Sequence, residues 1–261
     1  MDAEKLTAEA AVNRERWDEQ SDEYQARHGA QLEESGGTAW GVWQIPESEL
    51  GVLGDVSGLD VLELGCGAAQ WSIALSRQGA RMTALDNSSR QLEHARQAMA
   101  AARVEFPLVH AGAESTGLPD STFDVVFCDF GAMTFSDPHN SVPEVARLLR
   151  PGGLFAFSAL TPIVELAWAL GEEGPGESLV VDYWEGIRRL QEPGEPINFN
   201  LPYGEWIAVF RKHGFAIEDL IELRPGADAV SSYRTEKDRE WARRWPMEHI
   251  WRVRLQAARG D

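Results

Sequence analysis

The sequence predicts a doubly wound α/β fold: a mostly parallel sheet with helices on both faces. Three observations predict it. Short apolar runs alternate with segments of helical period between residues 59 and 160, and that alternation places helices on the two faces of a parallel sheet. The first run ends in a two-glycine turn, Asp60-Val61-Leu62-Glu63-Leu64-Gly65-Cys66-Gly67-Ala68-Ala69-Gln70. The second run, Arg81 to Leu85, ends in Asp86, twenty-one residues after Gly65. Glycines after a first strand let a nucleoside approach the backbone, and an acid ending the second strand can accept from both ribose hydroxyls.

Taken in order, Leu6, Ala10, Asn13, Trp17, Ser21, Tyr24 and His28 recur at steps of three and four and form one face of an N-terminal helix. Gly29 and the Gly36-Gly37 pair are expected to end it and to open a loop carrying Trp40, Trp43 and Pro46. A strand over 59–64 follows, then a helix over about 69–78 ended by Gly79, a strand over 81–86, and a helix from Ser88. Ser88 and Gln91 have capping-box spacing, and Leu92, Ala95 and Met99 form the buried stripe. The third strand is expected over 104–111, and the fourth is Phe123 to Cys128 after the turn Leu118-Pro119-Asp120-Ser121-Thr122. Ser141 and Glu144 predict a second capping box, for a helix bearing Val142, Val145, Leu148 and Leu149. Pro151-Gly152-Gly153 stops that helix before a fifth strand, Leu154 to Ala159.

After Thr161-Pro162 the rhythm breaks. Residues 161–202 are apolar and aromatic but interrupted by Gly171, Gly174-Pro175-Gly176, Pro193 and Pro196. They are read as an inserted helical cap, with Trp168, Tyr183 and Trp184 available to wall an apolar substrate. The last helix spans about 203–213 and is ended by Gly214. Phe215 to Leu223 is the sixth strand, and Ile250 to Leu255 alternates as an antiparallel seventh. The expected organisation is a helical lid over 1–50, a core over 51–160 and 203–257, and a cap over 161–202.

Composition narrows the partners. A formal charge of −18 with three lysines, Lys5, Lys212 and Lys237, argues against a phosphate backbone as ligand. No apolar run reaches the length of a membrane span, so stable membrane insertion is not expected. Met1-Asp2-Ala3-Glu4-Lys5 lacks the basic and apolar regions of a signal peptide, and a cytoplasmic location is the expectation. Cys66 and Cys128 are too few and too far apart for a zinc cluster or a disulfide framework; free thiols at strand ends are expected. No metal is expected: Asp129 with Asp137 and Asn140 is weak support for Mg²⁺.

The turn also narrows the ligand. A dinucleotide fingerprint wants glycine or alanine at the sixth position, which here is Gln70, and a phosphate loop wants Gly-Lys-Ser/Thr, with no lysine near. Glu63, two residues before Gly65, repels a pyrophosphate but suits an amino group or a sulfonium. The row Glu63-Leu64-Gly65-Cys66-Gly67-Ala68-Ala69 resembles the first motif of the class I S-adenosylmethionine-dependent methyltransferases, with Ala69 in place of the third glycine. Ala113-Glu114 before Leu118-Pro119, Phe123-Asp124-Val125-Val126 and Leu149-Arg150-Pro151-Gly152-Gly153 are similar to the ubiquinone/menaquinone-biosynthesis-like group, which also holds many secondary-metabolite enzymes. The resemblance covers about 59–160, and 203–257 more loosely. It implies a Rossmann-like seven-stranded sheet in the order 3-2-1-4-5-7-6, with S-adenosyl-L-methionine as cofactor.

Under that resemblance the cofactor residues are Glu63, Gly65, Cys66, Gly67, Gln70, Asp86, Asn87, Gln91, Ala113, Glu114 and Asp129, with Tyr24 and Trp43 from the lid. Several readings stay open. Asp86 is either the ribose acceptor or a cap of the next helix. Gly112 stands where the family carries an adenine-binding Asp, so Ala113 and Glu114 either read the base or leave Glu114 a solvated loop charge. Asp129 is a cofactor or substrate contact, or simply orients its loop. His28, His139 and Asp129 are the candidates for proton transfer, and no spacing selects among them. Trp71, Trp206 and Trp251 are assigned to packing.

The resemblance implies methyl transfer to a small aromatic or apolar metabolite, with no nucleic acid as partner: Cys128-Asp129-Phe130-Gly131 lacks the Asn/Asp-Pro-Pro-aromatic motif of amino-directed nucleic-acid enzymes. A lipid-quinone C-methyltransferase, an NAD(P)-dependent oxidoreductase and a non-catalytic cofactor binder are the other readings. A homodimer is compatible with all of them.

Overall fold

The structure is a computed structural model that describes residues 6–34, 36–169, 171–184 and 194–257. Parts of the expected lid and cap, residues 1–5, 35, 170 and 185–193, lie outside the described residues.

Helix α1 (Ala8–Glu34) opens the chain and buries Ala10, Asn13, Ser21 and His28. It runs through Gly29, contrary to expectation. A single glycine costs a helix about 1 kcal/mol, too little to stop one held by tertiary contacts on both sides. The chain turns only where Gly36 and Gly37 take left-handed φ of 70° and 72°. A small hairpin, β1 (Ala39–Trp40) with β2 (Ile45–Pro46), and the short α2 (Glu47–Leu50) lead into the core.

The core continues as β3 (Asp60–Leu64), α3 (Gln70–Arg77), β4 (Arg81–Asp86), α4 (Ser89–Ala102), β5 (Leu108–His110) and β6 (Phe123–Asp129). Then come α5 (Gly131–Phe135), α6 (Pro138–Leu148), β7 (Leu149–Leu160), α7 (Pro162–Ala167), α8 (Tyr203–Lys212), β8 (Phe215–Leu223), α9 (Glu236–Ala242) and β9 (Glu248–Leu255). The seven-stranded sheet has the order β5-β4-β3-β6-β7-β9-β8. Numbered by strand within that sheet, this is 3-2-1-4-5-7-6, the predicted order. Strands β3 to β7 pair in parallel, and β9 pairs antiparallel with β7 and β8.

Strands flanked on both sides must be apolar on both faces. Leu62, Leu64, Val126, Phe155 and Phe157 accordingly pack with Trp206, Phe210 and Trp251 on one face. Val61, Val125, Phe127 and Ala156 pack with Trp40, Trp71 and Leu75 on the other.

Three local expectations are corrected, and one helix stands where none is expected. The third strand is only Leu108–His110; Pro107 has no N–H to donate, though its carbonyl accepts from Ala84 N at 3.0 Å. Ser141 is not a helix cap: α6 starts at Pro138 with Asp137 as its cap, and the Ser141 hydroxyl donates back to the Asp137 carbonyl at 3.1 Å. Glu144 instead accepts from Thr116 and Arg147. The segment between β8 and β9 holds α9, which opens on a capping box between Thr235 and Asp238. Of the expected helical cap, the described residues form α7 and a run of turns. No described helix is long and apolar enough to cross a membrane.

Candidate functional site

Order reverses at β3, whose neighbours β4 and β6 feed opposite halves of the sheet, and a crevice opens there at the carboxyl ends of the strands. A cavity of about 370 Å³ occupies it, within the size range of small-molecule sites. It is walled by the β3–α3 turn, the ends of β4 and β6, helix α1, and residues 233–234.

The turn is built from the end of β3. The Gly65 and Cys66 N–H groups both donate to the Leu85 carbonyl, at 2.8 and 2.9 Å, which locks the turn onto β4. Gly65 has φ 68°, and a Cβ there would lie 2.2 Å from Ala132 N, so only glycine fits. Gly67 has φ 54°, and a Cβ would meet nothing closer than 3.7 Å, at Gln91 Oε1. Ala69 also sits at a left-handed φ of 61°, so the alanine holds the conformation that glycine takes most easily.

Helix α3 has no side-chain cap at Ala69. Glu63 supplies the missing acceptor: its Oε2 takes the Ser72 N–H at 3.0 Å and the Ser72 hydroxyl. Burial pushes Glu63 up to about 8, with the Ser72 hydrogen bonds working the other way and the charges of Asp129 and Asp86 adding to the rise. Asp86 spans the mouth of the turn, Oδ2 accepting from Gly67 N and Oδ1 from Ser88 N, both at 2.8 Å. Burial pushes it up to about 6. Helix α4 is capped separately by Ser88 Oγ, which accepts from Gln91 N, while the Gln91 side chain turns to Gln25 on α1, 2.8 Å away.

Asp129, at the end of β6, is held by Gly41 N at 2.9 Å and by the Ser158 hydroxyl at 2.5 Å. Burial raises its pKa as well. Three carboxylates on one cavity wall, Glu63 and Asp86 buried and Asp129 half-buried, are each made harder to ionise by desolvation and form a site that a cation would stabilise. Beside Asp129, Phe130 has φ 58° and ψ −83°, an uncommon geometry for a bulky residue. It is fixed by Phe130 N donating to Ser158 Oγ at 2.8 Å, and it leaves the Phe130 ring in the cavity wall.

Of the sequence-predicted cofactor residues, Tyr24, Glu63, Gly65, Cys66, Gly67, Gln70, Asp86, Asn87, Gln91, Ala113, Glu114 and Asp129 all line this cavity. Asn87 also ties α1 down, accepting from Arg14 and donating to the Ala10 carbonyl. Glu114 accepts from Asp137 N at 2.9 Å, so it braces the start of α6 rather than standing free. Trp43 does not line the cavity; it packs with Val164, Trp241 and Met247 in a separate apolar cluster. Trp40 is fully buried behind the turn, donating to Glu47. Trp71, assigned to packing, does reach the cavity, its indole N–H lying 3.4 Å from Asp129 Oδ2.

His139 is exposed at the start of α6, away from the cavity. His28 lines it, stacked on Tyr233 at 3.9 Å between centroids with its Nδ1 2.8 Å from Ser232 Oγ. Burial lowers His28 to about 4, so its ring is neutral at physiological pH. The Tyr24 and Tyr233 hydroxyls meet at 2.9 Å. Tyr233, Arg234, Gln25, Phe130 and Phe135 are among the lining residues that sequence reasoning missed. None of the described residues of 161–202 lines the cavity; residues 233–234 take the place expected for them.

Comparison with known proteins agrees with this geometry. Residues 62–157 match the family described as Methyltransferase domain. That segment runs from β3 to β7 and carries the turn, Asp86 and Asp129. Residues 62–157 form a methyltransferase domain. A demethylmenaquinone methyltransferase of Clavibacter sepedonicus is 31% identical over 144 residues, 53% of this chain and 57% of that protein. The chain thus spans little more than half the length of that relative. The fold is that of the class I S-adenosylmethionine-dependent methyltransferases. A structure of one from Mesorhizobium loti superposes with a TM-score of 0.63 at 24% identity, covering 79% of this chain and 95% of that one. The 1,6-didemethyltoxoflavin-N1-methyltransferase of Burkholderia thailandensis superposes at 0.57 with 17% identity, covering 98% and 94%. Around the methyltransferase domain, α1 and residues 233–234 complete the cavity. Among the described residues there is no cluster of three or more metal-ligating side chains.

Proposed function

We propose that the cavity binds S-adenosyl-L-methionine and that the chain transfers its methyl group to a small aromatic or apolar acceptor. The observation that carries this is the placement of Glu63 and Asp86 on either side of the Gly65–Gly67 turn, in one cavity with Asp129. The acids suit a ligand with an ammonium and a sulfonium, and they oppose a pyrophosphate. Aromatic faces from Trp17, Tyr24, Phe130 and Phe135 in the same wall suit a sulfonium too.

The cofactor, when bound, supplies an activated methyl. The chain's own residues then have three tasks. Asp86 and the turn fix the nucleoside, the aromatic wall excludes water, and donor and acceptor are held in line. Of the three candidates for proton transfer, His28 and Asp129 lie in the cavity wall, and burial, which lowers His28 to about 4, makes its ring a weak base. The lipid-quinone reading draws support only from the names of relatives such as the Clavibacter protein, and no observation favours the oxidoreductase reading. Calorimetry with S-adenosylhomocysteine and with NADH tests the assignment. S-adenosylhomocysteine is expected to bind at micromolar Kd, about −8 kcal/mol, with no heat from NADH. Tight NADH binding with no response to S-adenosylhomocysteine overturns it.

The raised carboxylates set a pH dependence. Burial pushes Glu63 up to about 8 and Asp86 up to about 6. A ligand ammonium and ribose hydroxyls favour the ionised forms, so binding releases protons and affinity must rise with pH. Kd for S-adenosylhomocysteine is expected to fall steadily from pH 5.5 to 8, with proton release visible as a buffer-dependent binding heat. A flat or opposite profile means the carboxylates do not face the ligand's charge.

Helix α1 and the 231–234 segment cover the cavity through the contacts of His28 with Ser232 and of Tyr24 with Tyr233. A cofactor must pass them, so they act as the lid. Hydrogen exchange should slow across residues 17–34 and 229–235 when S-adenosylhomocysteine is added. Protection confined to the β3–α3 turn would mean that entry lies elsewhere.

A further inference from the structure

The acids of the cavity account for a cationic cofactor. They leave one wall residue unexplained. Arg234 lines the cavity, yet its Nε–H is buried with no hydrogen-bond partner among the described residues. Its charge is met only at a distance, by Glu248, Asp238 and Glu165. Other arginines of the fold are paired closely: Arg150 with Asp60 and Asp124 at 2.8 Å, Arg147 with Glu144 at 2.7 Å. Arg27, which also lines the cavity, is exposed.

Nearby carboxylates do not relieve it. Glu248 is fully buried; its Oε2 accepts from Val42 N at 3.0 Å, and its Oε1 has no partner among the described residues. Burial pushes Glu248 up to about 8 and Glu165 up to about 7, so their negative charge at neutral pH is incomplete. Arg234 is half-buried and its Nε–H has no partner among the described residues, and perturbed, poorly paired ionic groups in a cleft mark functional positions.

The surroundings hold the side chain in place. The Arg234 guanidinium carbon lies 4.8 Å from the centroid of the Trp168 ring. On one side, Tyr233 is fixed by its stack on His28 and its bond to Tyr24. On the other, Thr235 is fixed in the capping box with Asp238. An arginine pinned at both neighbours and backed by an aromatic face offers a planar fork that matches a carboxylate. One guanidinium in a wall that also holds Glu63, Asp86 and Asp129 favours a single negative charge; a phosphate dianion would be repelled. The ring surfaces of Tyr233 and His28 next to it favour a flat ligand body.

We propose that Arg234 is the acceptor-recognition residue of this site and that the methyl acceptor is a small planar monocarboxylate. This rests on the methyltransferase reading for the word acceptor; the anion site itself does not.

The test uses matched aromatic acids and amides, namely benzoate with benzamide, salicylate with salicylamide, and indole-3-carboxylate with indole-3-carboxamide. Each is titrated into the 261-residue chain with and without S-adenosylhomocysteine. In the wild type at least one acid is expected to bind tenfold or more tightly than its amide. Arg234→Gln should bring that ratio to within twofold, while Arg234→Lys keeps part of it, and an unfolding midpoint close to wild type shows that each variant is folded. No acid preference in any pair, or a preference that survives Arg234→Gln, overturns the proposal. Failure of S-adenosylhomocysteine to bind the wild type overturns the cofactor assignment instead, and the titrations without it still decide the anion site.

Discussion

Gly65→Ala is expected to cost about 2–5 kcal/mol of folding stability and to abolish measurable cofactor binding. Two effects add. The residue sits at φ 68°, where a side chain costs roughly 1–2 kcal/mol. The new Cβ would also lie 2.2 Å from Ala132 N and 2.9 Å from the Gly131 carbonyl carbon. Those are backbone atoms at the start of α5, and no rotamer change moves them, so the clash adds an overpacking cost of about 1–3 kcal/mol. Relief requires the β3–α3 turn and the Phe130–Gly131 bend to separate, and both walls of the cavity move with them.

Gly67→Ala is the control. It has a left-handed φ as well, but its Cβ has space, with Gln91 and Gln25 at 3.7 and 3.8 Å. It should lose only about 1 kcal/mol of stability, while its methyl projects between two cavity-lining side chains and weakens binding. Chemical denaturation and calorimetry on the two variants separate the roles. A wild-type unfolding midpoint for Gly65→Ala would mean the turn is not packed against α5 as described.

How much of this was legible in sequence follows from the range of each interaction. The turn, Asp86 and the end of β6 belong to contiguous strand–turn–helix units, where period, glycine and a terminal acid fall within a few residues of one another. Those are local signals; the alternation gave the parallel sheet, and the strand order was implied by the family resemblance that the motifs carry. Tyr233 and Arg234 reach the cavity by contacts such as His28 to Ser232, 204 residues apart. Their own neighbourhood, Ser231 to Thr235, has no strand or helix period to flag them. The capping box at Thr235 and Asp238 was readable by the same rule that found Ser88, and it would have placed α9.

Trp43 failed for a different reason. Aromatic residues ahead of the core read alike whether they cover a ligand or a hydrophobic cluster, and Trp43 found Trp241 and Met247 in a part of the chain with no local relation to it. Ser141 failed because Asp137, one turn earlier and followed by Pro138 at the first helical position, is a competing start signal.

Asp86→Ala is expected to weaken S-adenosylhomocysteine binding by at least tenfold, but the structure gives that loss two possible sources. The carboxylate accepts from Gly67 N and Ser88 N, so its removal also frees the turn and the entry to α4. An ionised carboxylate has about four acceptor positions, and two are used, which leaves two for ribose hydroxyls at about 1.5–3 kcal/mol each. A ligand lacking those hydroxyls separates the sources. With 2′,3′-dideoxy S-adenosylhomocysteine the wild type should already have lost most of the affinity, and Asp86→Ala should cost it little more. The coupling between the protein change and the ligand change is then the hydrogen-bond energy itself. The same bonds need the ionised acid, so below about pH 6 the wild type should drift toward the variant's affinity for the natural ligand, whereas the variant's own profile loses that step. If Asp86→Ala penalises both ligands equally, the residue only pins Gly67 and Ser88, and the ribose must be held by another group of the wall.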